Sequence, residues 1–151
     1  MDEKEVKICW LQTDAERDLK LPCYESAGAA GMDVQAAVRG ELTLEPGDVA
    51  LIPTGFSVAI PIGYEMQVRP RSGLAVKYGL TVLNSPGTID SDYRGEVKIA
   101  LINLGRKPFI IHRGDRIAQL VVAPVARACF TLVEALDQTS RAAGGFGHTG
   151  I

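Results

Sequence analysis

The sequence predicts an all-β protein of one domain, and three observations carry that prediction. The chain has 151 residues, a length that suits a single hydrophobic core. Short segments with the alternating apolar pattern of strands recur along it. Glycine and proline contribute 16 and 8 residues, which indicates many turns. Regularly spaced short strands are typical of a β-sandwich or barrel.

The alternating pattern predicts ten strands. They cover residues 6–10, 32–36, 49–53, 56–60, 64–68, 80–84, 96–103, 109–112, 117–123 and 129–134. Turn sequences such as Pro46-Gly47-Asp48 and Arg113-Gly114-Asp115 separate them. Two segments, 97–102 and 117–122, have too few polar residues to coat a solvent face, so both of their faces should be covered. In so small a domain this suggests packing between subunits.

One short helix is predicted over residues 72–78, with Ser72 as its N-cap and Gly79 as its C-terminal stop. After Ala135 the periodicity ends, and residues 137–151 contain four glycines. Such a segment should be flexible when it stands alone. We therefore divide the chain into a β domain, residues 1–136, and a C-terminal arm, residues 137–151.

Charge and cysteine content narrow the function. Sixteen Lys and Arg residues against eighteen Asp and Glu residues give a net charge of −2, which disfavours a nucleic acid polymer as partner but allows a single nucleotide. No apolar run approaches the roughly 20 residues of a membrane span, and the N-terminus lacks a secretory signal pattern. Cys9, Cys23 and Cys129 lack the paired spacing of metal or redox sites, which predicts buried thiols in a reducing cytoplasm.

Polar residues that could carry chemistry are concentrated in a few loops. Arg71, Ser72 and Gly73 at a helix start would suit an anion, although a solvated arginine and an ordinary cap are commoner for such a triplet alone. The segment 90–95 is the most polar turn, yet such turns usually bond only their own backbone. The sequence has no G-x-S-x-G elbow, catalytic-cysteine signature, P-loop or H-E-x-x-H pattern, so a serine or cysteine hydrolase is not supported.

Five segments, taken in order, resemble the five motifs of the homotrimeric dUTPase family. They are Ala-Gly-Met-Asp at 30–33, Arg-Pro-Arg-Ser-Gly-Leu at 69–74, Gly-Thr-Ile-Asp-Ser-Asp-Tyr-Arg-Gly at 87–95, Arg-Gly-Asp-Arg-Ile-Ala-Gln-Leu at 113–120 and Arg-Ala-Ala-Gly-Gly-Phe-Gly at 141–147. Each segment alone is weak, but the set spans nearly the whole chain. The resemblance implies a jelly-roll-like β-barrel and a homotrimer with shared active sites, in which the arm of one subunit closes over a neighbour's site.

The resemblance also implies an activity and a mechanism. The family hydrolyses dUTP to dUMP and pyrophosphate, which keeps uracil out of DNA and supplies dUMP for dTMP synthesis. Asp90 would orient and deprotonate a water that attacks the α-phosphorus in line with the bridging oxygen. Mg²⁺ would be held mainly by the substrate phosphates, with Asp33 binding a coordinated water.

Substrate contacts carry over by position in the same motifs. Arg71, Ser72, Gln119 and Arg141 would bind the phosphates. Asn84 would read the uracil edge, Tyr93 would pack beneath the deoxyribose, and Phe146 would stack over the uracil. The other implied substrate-binding residues are Gly73, Gly87, Thr88, Ile89, Lys98 and Gly147.

Two alternatives stay open on the sequence alone. A dCTP deaminase is similar in fold and acts on the same nucleotide class, although the 90–95 turn and the Gly-Gly-Phe-Gly arm match the dUTPase pattern better. A non-catalytic nucleotide-binding regulator is the alternative from another class, against which the intact Asp90 argues. His148 adjoins the arm motif and could touch phosphate, but an exposed tail histidine is the simpler interpretation.

Overall fold

The computed structural model describes residues 3–11 and 18–145 of the chain. In chain order the elements are β1 (Lys7–Trp10), β2 (Cys23–Tyr24), β3 (Met32–Gln35), β4 (Glu41–Leu44), β5 (Val49–Ala59), β6 (Tyr64–Arg69), α1 (Ser72–Tyr78), β7 (Leu80–Val82), β8 (Gly87–Ile89), β9 (Glu96–Asn103), β10 (Phe109–His112) and β11 (Arg116–Pro124). These elements confirm the predicted all-β class with one short helix.

The strands form three antiparallel sheets. A four-stranded sheet has the order β1-β5-β9-β7, a five-stranded sheet has the order β2-β3-β11-β6-β8, and β10 pairs with β4. The larger sheets share one core, which contains Phe56 and Ile99 from one and Val68 and Leu120 from the other. Within the described residues no sheet closes on itself. The barrel part of the prediction is therefore corrected to an open, jelly-roll-like arrangement.

Segments 97–102 and 117–122 were both predicted to be covered on both faces, and this holds for 117–122 only. Neighbouring residues Ile117, Ala118, Leu120 and Val121 of β11 are all buried. In β9 only the inward face is sealed, and Ala100 and Ile102 on the other face remain half-buried. The outward face of β9 therefore keeps apolar surface accessible in a single chain.

Several strand boundaries differ from the prediction for identifiable reasons. The segments 49–53 and 56–60 belong to the single strand β5, whose pairing with β9 shifts register between Pro53 and Ser57, where Gly55 has a φ of 79°. The short strands β2, β4 and β8 carry too few residues to show periodicity, and β7 ends at Val82 rather than at residue 84.

The predicted strand 129–134 is wrong for the single chain. Residues 125–143 are exposed and form no strand, and Phe130 and Leu132 are 95% and 100% exposed. A strand needs a partner edge for its backbone hydrogen bonds, and among the described residues this segment pairs with no strand. Its strand-like sequence therefore forms no ladder of backbone hydrogen bonds with another described strand.

The helix prediction is confirmed in extent and corrected at its start. Helix α1 spans Ser72–Tyr78, but the N-cap is Arg71, and no side chain caps the helix. Gly79 ends it in the left-handed conformation with a φ of 71°. A Cβ at Gly79 would lie 2.5 Å from the backbone nitrogen of Gly105, so only glycine fits there. In the described part of the chain, no helix has the length and apolar character that a membrane crossing requires.

The prediction of buried cysteines is also wrong for the single chain. Cys9, Cys23 and Cys129 are all exposed as free thiols. Cys9 and Cys23 lie on the sheet-edge strands β1 and β2, and Cys129 lies on the exposed segment after β11. Position at a sheet edge for Cys9 and Cys23, and outside the sheets for Cys129, explains their exposure, and residue type alone does not reveal it.

Candidate active site

The first group of predicted site residues lies around the start of α1. Asp33 of β3 pairs with Gln119 of β11, and Gln119 pairs with Arg69 of β6. Directly opposite residues of antiparallel strands point to the same face of the sheet. The chain then passes from Arg69 into α1, which brings Arg71 and Ser72 to this row.

Two arginines hold the Asp33 carboxylate. Arg71 donates from Nε to Oδ1 at 3.0 Å and from Nη2 to Oδ2 at 3.2 Å, and Arg116 donates from Nη1 to Oδ2 at 3.1 Å. Arg71 also donates from Nη1 to the backbone oxygen of Arg116 at 3.1 Å. The Asp33 side chain is only 16% exposed. Arg116 was not among the predicted site residues, although it lies inside the 113–120 motif.

Arg113 attaches an earlier part of the chain to the turn that precedes Arg116. Its Nε and Nη2 donate to the Asp18 carboxylate at 2.9 and 2.8 Å. These hydrogen bonds hold the pKa of Asp18 below its usual value. The contact anchors the chain immediately before the buried Leu19.

Gln119 is fixed by close packing against the first motif. Its Nε2 donates to the Pro70 oxygen at 3.0 Å, and a Cβ on Gly31 would lie 2.2 Å from its Oε1. A residue with any side chain at position 31 would push the Gln119 amide away. This contact gives a physical reason for the glycine of the 30–33 segment.

Substituting Gly31→Ala is expected to raise the KM for the substrate about tenfold while the protein stays folded. The added methyl displaces the flexible end of Gln119, a predicted phosphate ligand, whose loss as a hydrogen-bond partner is worth about 1–1.5 kcal/mol. Steady-state kinetics and a thermal melt check this, with Gly28→Ala as the control because a Cβ at Gly28 meets nothing within 4 Å. Unchanged kinetics in the Gly31 variant would contradict the role of Gln119.

A cavity of about 300 Å³ borders the two arginines. Its other walls come from α1, β10 and the start of β11, and its lining residues are Arg71, Leu74, Tyr78, Phe109, Asp115, Arg116 and Ile117. The rings of Tyr78 and Phe109 meet edge to face at 5.2 Å. The cavity thus combines two cations with an aromatic wall.

The second group of predicted site residues lies in the β8 loop, residues 84–95, which contains β8. Gly87 and Ile89 are buried, whereas Asn84, Thr88 and Asp90 are exposed. A Cβ on Gly87 would lie 3.2 Å from Asn84 Nδ2, so the asparagine packs directly on this glycine. The β8 loop therefore presents the Asn84 amide and the Asp90 carboxylate to solvent.

The turn after Asp90 is held by its own backbone and side chains. The Tyr93 N–H donates to the backbone oxygen of Asp90 at 3.2 Å, and the Tyr93 hydroxyl donates to the backbone oxygen of Glu96 at 3.0 Å. A Cβ on Gly95 would lie 2.3 Å from the Tyr93 hydroxyl, so the ring rests on this glycine. Among the described residues the Asp90 carboxylate accepts no hydrogen bond, in contrast to the local bonding expected of an ordinary polar turn.

The strand register gives the separation of the two groups. Gln119 pairs with Arg69 on β6. The pairing of Ile89 puts Asp90 beside Glu65 of the same strand. Arg69 and Glu65 are four residues apart, which is about 13 Å along β6 at about 3.3 Å per residue. Because β8 and β11 flank β6 on opposite sides, the backbone positions of Asp90 and Gln119 are more than about 13 Å apart. One chain alone does not bring Asp90 to the arginines.

The remaining predicted site residues lie elsewhere. Lys98 is on β9, with its Nζ 3.5 Å from Glu96 Oε2. Arg141 is exposed in the arm and donates from Nε to the Gly144 oxygen at 2.8 Å. Phe146 and Gly147 lie outside the described residues, as does His148. Among residues 3–11 and 18–145, no three His, Cys, Asp or Glu side chains are grouped to hold a metal ion.

Comparison with known proteins gives consistent matches. The family model described as dUTPase matches residues 17–150. A deoxyuridine 5'-triphosphate nucleotidohydrolase from Desulfotalea psychrophila is 63% identical over 149 residues, which cover 99% of this chain and 99% of that protein. The protein of the same name from Rhizobium etli is 64% identical over 135 residues, which cover 88% of this chain and 86% of the relative.

Solved structures match as well. The dUTPase of Staphylococcus bacteriophage 80alpha with dUpNHpp aligns with a TM-score of 0.86 at 25% identity over 99% of this chain and 100% of that chain. The dUTPase of phage phi11 of S. aureus, described with a structural Mg(II) ion, aligns with a TM-score of 0.75 at 25% identity over 87% of this chain and 98% of that chain.

Proposed function

Because this chain belongs to the dUTPase family and hydrolyses dUTP, we propose that its active site joins Asp90 of one subunit to the arginine group of another. The observation that carries the proposal is the strand register, which in one chain displaces Asp90 by about 13 Å along β6 from the row of Asp33 and Gln119. An exposed carboxylate that accepts no hydrogen bond among the described residues and a partly buried cationic cluster are complementary halves of a phosphate-hydrolysing site. A neighbouring copy would bring them together.

Asp90 orients the attacking water in this proposal. Its carboxylate takes a proton from the water, the water oxygen bonds to the α-phosphorus, and the bond to the bridging oxygen breaks to release pyrophosphate. A carboxylate with an ordinary pKa of about 3.9 is a weak base at neutral pH. Orientation of the water and stabilisation of the developing charge therefore supply most of the acceleration.

Arg71 binds the phosphate chain while it remains fixed. Three of its five N–H donors go to Asp33 and to the Arg116 backbone oxygen, which leaves two for substrate oxygens. Ser72 offers its hydroxyl because it caps no helix. Gly73, Gln119 and Arg141 complete the phosphate contacts, Arg141 arriving from another subunit's arm.

The donor set of this chain fits a magnesium ion carried by the substrate. An ionised carboxylate has about four acceptor positions, and Asp33 uses three of them on guanidinium N–H groups. The fourth can accept a hydrogen bond from a water of Mg²⁺, which retains several waters when bound. Bound Mg²⁺ would offset the charge of the three phosphates.

We assign nucleoside recognition to the β8 loop. Asn84 and the backbone groups of Gly87, Thr88 and Ile89 read the uracil edge, because buried donors and acceptors set for one base leave groups unpaired with another. Tyr93, held on Gly95, blocks the space that a 2′-hydroxyl would need.

Three further positions complete the substrate contacts. Lys98 adds positive charge near the β8 loop. Phe146 stacks over the uracil and Gly147 contributes backbone contacts when the arm, residues 137–151, closes. These contacts divide the chain into the β domain, residues 1–136, and a functional arm.

The exposed apolar surface supports a homotrimer. Val49 and Leu51 of β5 are 53% and 61% exposed, and they pair with the half-buried Ile102 and Ala100 of β9. Leu83 continues this patch beyond β7 and is also exposed. A contiguous apolar sheet face is typical of a subunit contact. The patch therefore packs against other copies.

The exposed segment 125–136 supports the same assembly. Its apolar side chains, among them Phe130 and Leu132, are left uncovered by the part of the chain that the structure describes, and its strand-like pattern suits the sheet edge of a neighbour. A segment that leaves its own subunit would also carry Arg141 toward a neighbouring active site.

The cytoplasm is the compartment we propose for the enzyme. Its three cysteines are exposed and unpaired, and such thiols persist in a reducing environment.

A panel of nucleotides tests the proposed activity. The protein with Mg²⁺ is incubated separately with dUTP, dCTP, UTP and dTTP, and pyrophosphate and ammonia are measured. Pyrophosphate from dUTP alone is expected. Ammonia from dCTP would identify a deaminase instead, and dUTP binding without pyrophosphate release would identify a regulator.

A further inference from the structure

Four residues of alternating charge form a chain of ion pairs among the predicted phosphate-binding residues around the start of α1. In order they are Glu25, Arg116, Asp33 and Arg71. The inner three are joined by hydrogen bonds of 3.0–3.2 Å. Glu25 is 3.6 Å from Arg116 Nη1 and 61% exposed, so solvent screens it and its contribution is small.

Arg116 alters the charge that the substrate meets. A bidentate pair of Arg71 with Asp33 alone would have no net charge, and its attraction for phosphate would be largely cancelled. Arg116 shares the same carboxylate oxygen, so the three groups together keep one net positive charge. Fixed positive charge at the phosphates is what hydrolysis requires.

Arg116 also fixes the orientation of Arg71. Its side chain donates to the same Asp33 oxygen that Arg71 Nη2 bonds, and its backbone oxygen accepts the Arg71 Nη1 donor. The Arg71 guanidinium is therefore held at all three of its nitrogens, and one N–H on each of Nη1 and Nη2 remains for the substrate. Side-chain motion that would cost binding entropy is removed before the substrate arrives.

We propose that Arg116 is a positioning residue for dUTP hydrolysis, acting through Asp33 to keep Arg71 oriented and to keep the net charge of the three groups positive. The inference rests on the proposed role of Arg71 at the phosphates. It also predicts a specific coupling, because neutralising Asp33 removes the need for Arg116. With Asp33→Asn, Arg71 keeps its full charge whether or not Arg116 is present.

A double-mutant cycle tests this coupling in the full-length enzyme. Arg116→Ala is expected to lower kcat/KM for dUTP about thirtyfold and to weaken dUpNHpp binding in parallel, measured by calorimetry. Arg116→Lys, which keeps the charge, should recover most of the loss. In the Asp33→Asn background, Arg116→Ala should change kcat/KM less than threefold. Asp33→Ser replaces Asp33→Asn if the latter does not fold.

Arg106→Ala is the matched control, since Arg106 is exposed in the turn after β9. An equal loss from Arg116→Ala in both backgrounds would overturn the proposal by showing that Arg116 acts on the substrate directly. Unchanged dUpNHpp affinity in Arg116→Ala, or no recovery in Arg116→Lys, would also overturn it. Failure of the proposed role of Arg71 is separate, because Arg71→Ala would then leave kcat/KM for dUTP and dUpNHpp affinity unchanged.

Discussion

Asp90→Asn is expected to lower kcat for dUTP about a thousandfold, within the range typical of losing a positioned general base. Asparagine has nearly the same shape as aspartate but cannot take the proton from water. Because the Asp90 carboxylate accepts no hydrogen bond among the described residues, its replacement should leave the fold and the assembly intact. Assays of pyrophosphate release, stopped at fixed times and followed at steady state, measure the loss of kcat. Calorimetry with dUpNHpp measures the retained binding.

Asp92→Asn provides the control for this variant. Asp92 is exposed two residues further along the same turn, so the substitution changes local charge equally without touching the proposed base. Near-normal turnover in the Asp90 variant, with the Asp92 variant also active, would reject Asp90 as the base.

Deletion of residues 139–151 is expected to leave a folded trimer whose kcat/KM for dUTP falls at least about a hundredfold, as expected when groups that orient the substrate are lost. The described part of this segment adds no fully buried side chain, so its removal should cost little stability. It removes Arg141 and Phe146, which are proposed to bind phosphate and cover the base. Size-exclusion chromatography with light scattering checks the trimer, and steady-state kinetics checks the loss.

Deletion of residues 149–151 alone is the control, because it shortens the chain but keeps the 141–147 motif. Full activity after the longer deletion would exclude a closing role for the arm.

Mixed trimers of the two inactive variants connect both predictions. If Asp90 and the arm at one site come from different chains, a mixture of Asp90→Asn chains and truncated chains contains some sites with an intact base and an intact arm. Unfolding and refolding the mixture should then restore measurable turnover. No recovery would mean that base and arm serve a site within one chain.

The strongest local patterns were sufficient for much of the fold. The run 96–103 and the segment 109–112 match β9 and β10 at both ends, because both are short apolar-rich segments bounded by glycine-containing turns. Helix α1 was predictable since Gly79 stops it by a conformation that favours glycine. The segment 129–134 failed for the opposite reason: its pattern is that of a strand, but a strand also needs a partner edge, which lies outside the local sequence.

The predicted site residues fell into two groups that only pairing could separate. The motifs named Asp33, Arg71, Gln119 and Asp90 without indicating that Asp90 is displaced by about 13 Å along β6 from the row of Asp33 and Gln119 in one chain. Arg116 lies inside the 113–120 motif, but the motif does not show that its side chain bonds Asp33. Its contact with Asp33 bridges 83 positions of sequence.

The sequence by itself determined the β class, the helix, the order of the five motifs and hence the family. Periodicity and motif chemistry are local properties, and local properties are legible in a linear chain. The tertiary structure alone decided the sheet order, the register that sets Asp33 opposite Gln119, and the sharing of one carboxylate by two arginines. These depend on contacts between distant segments, whose energies arise only when the core brings the strands together.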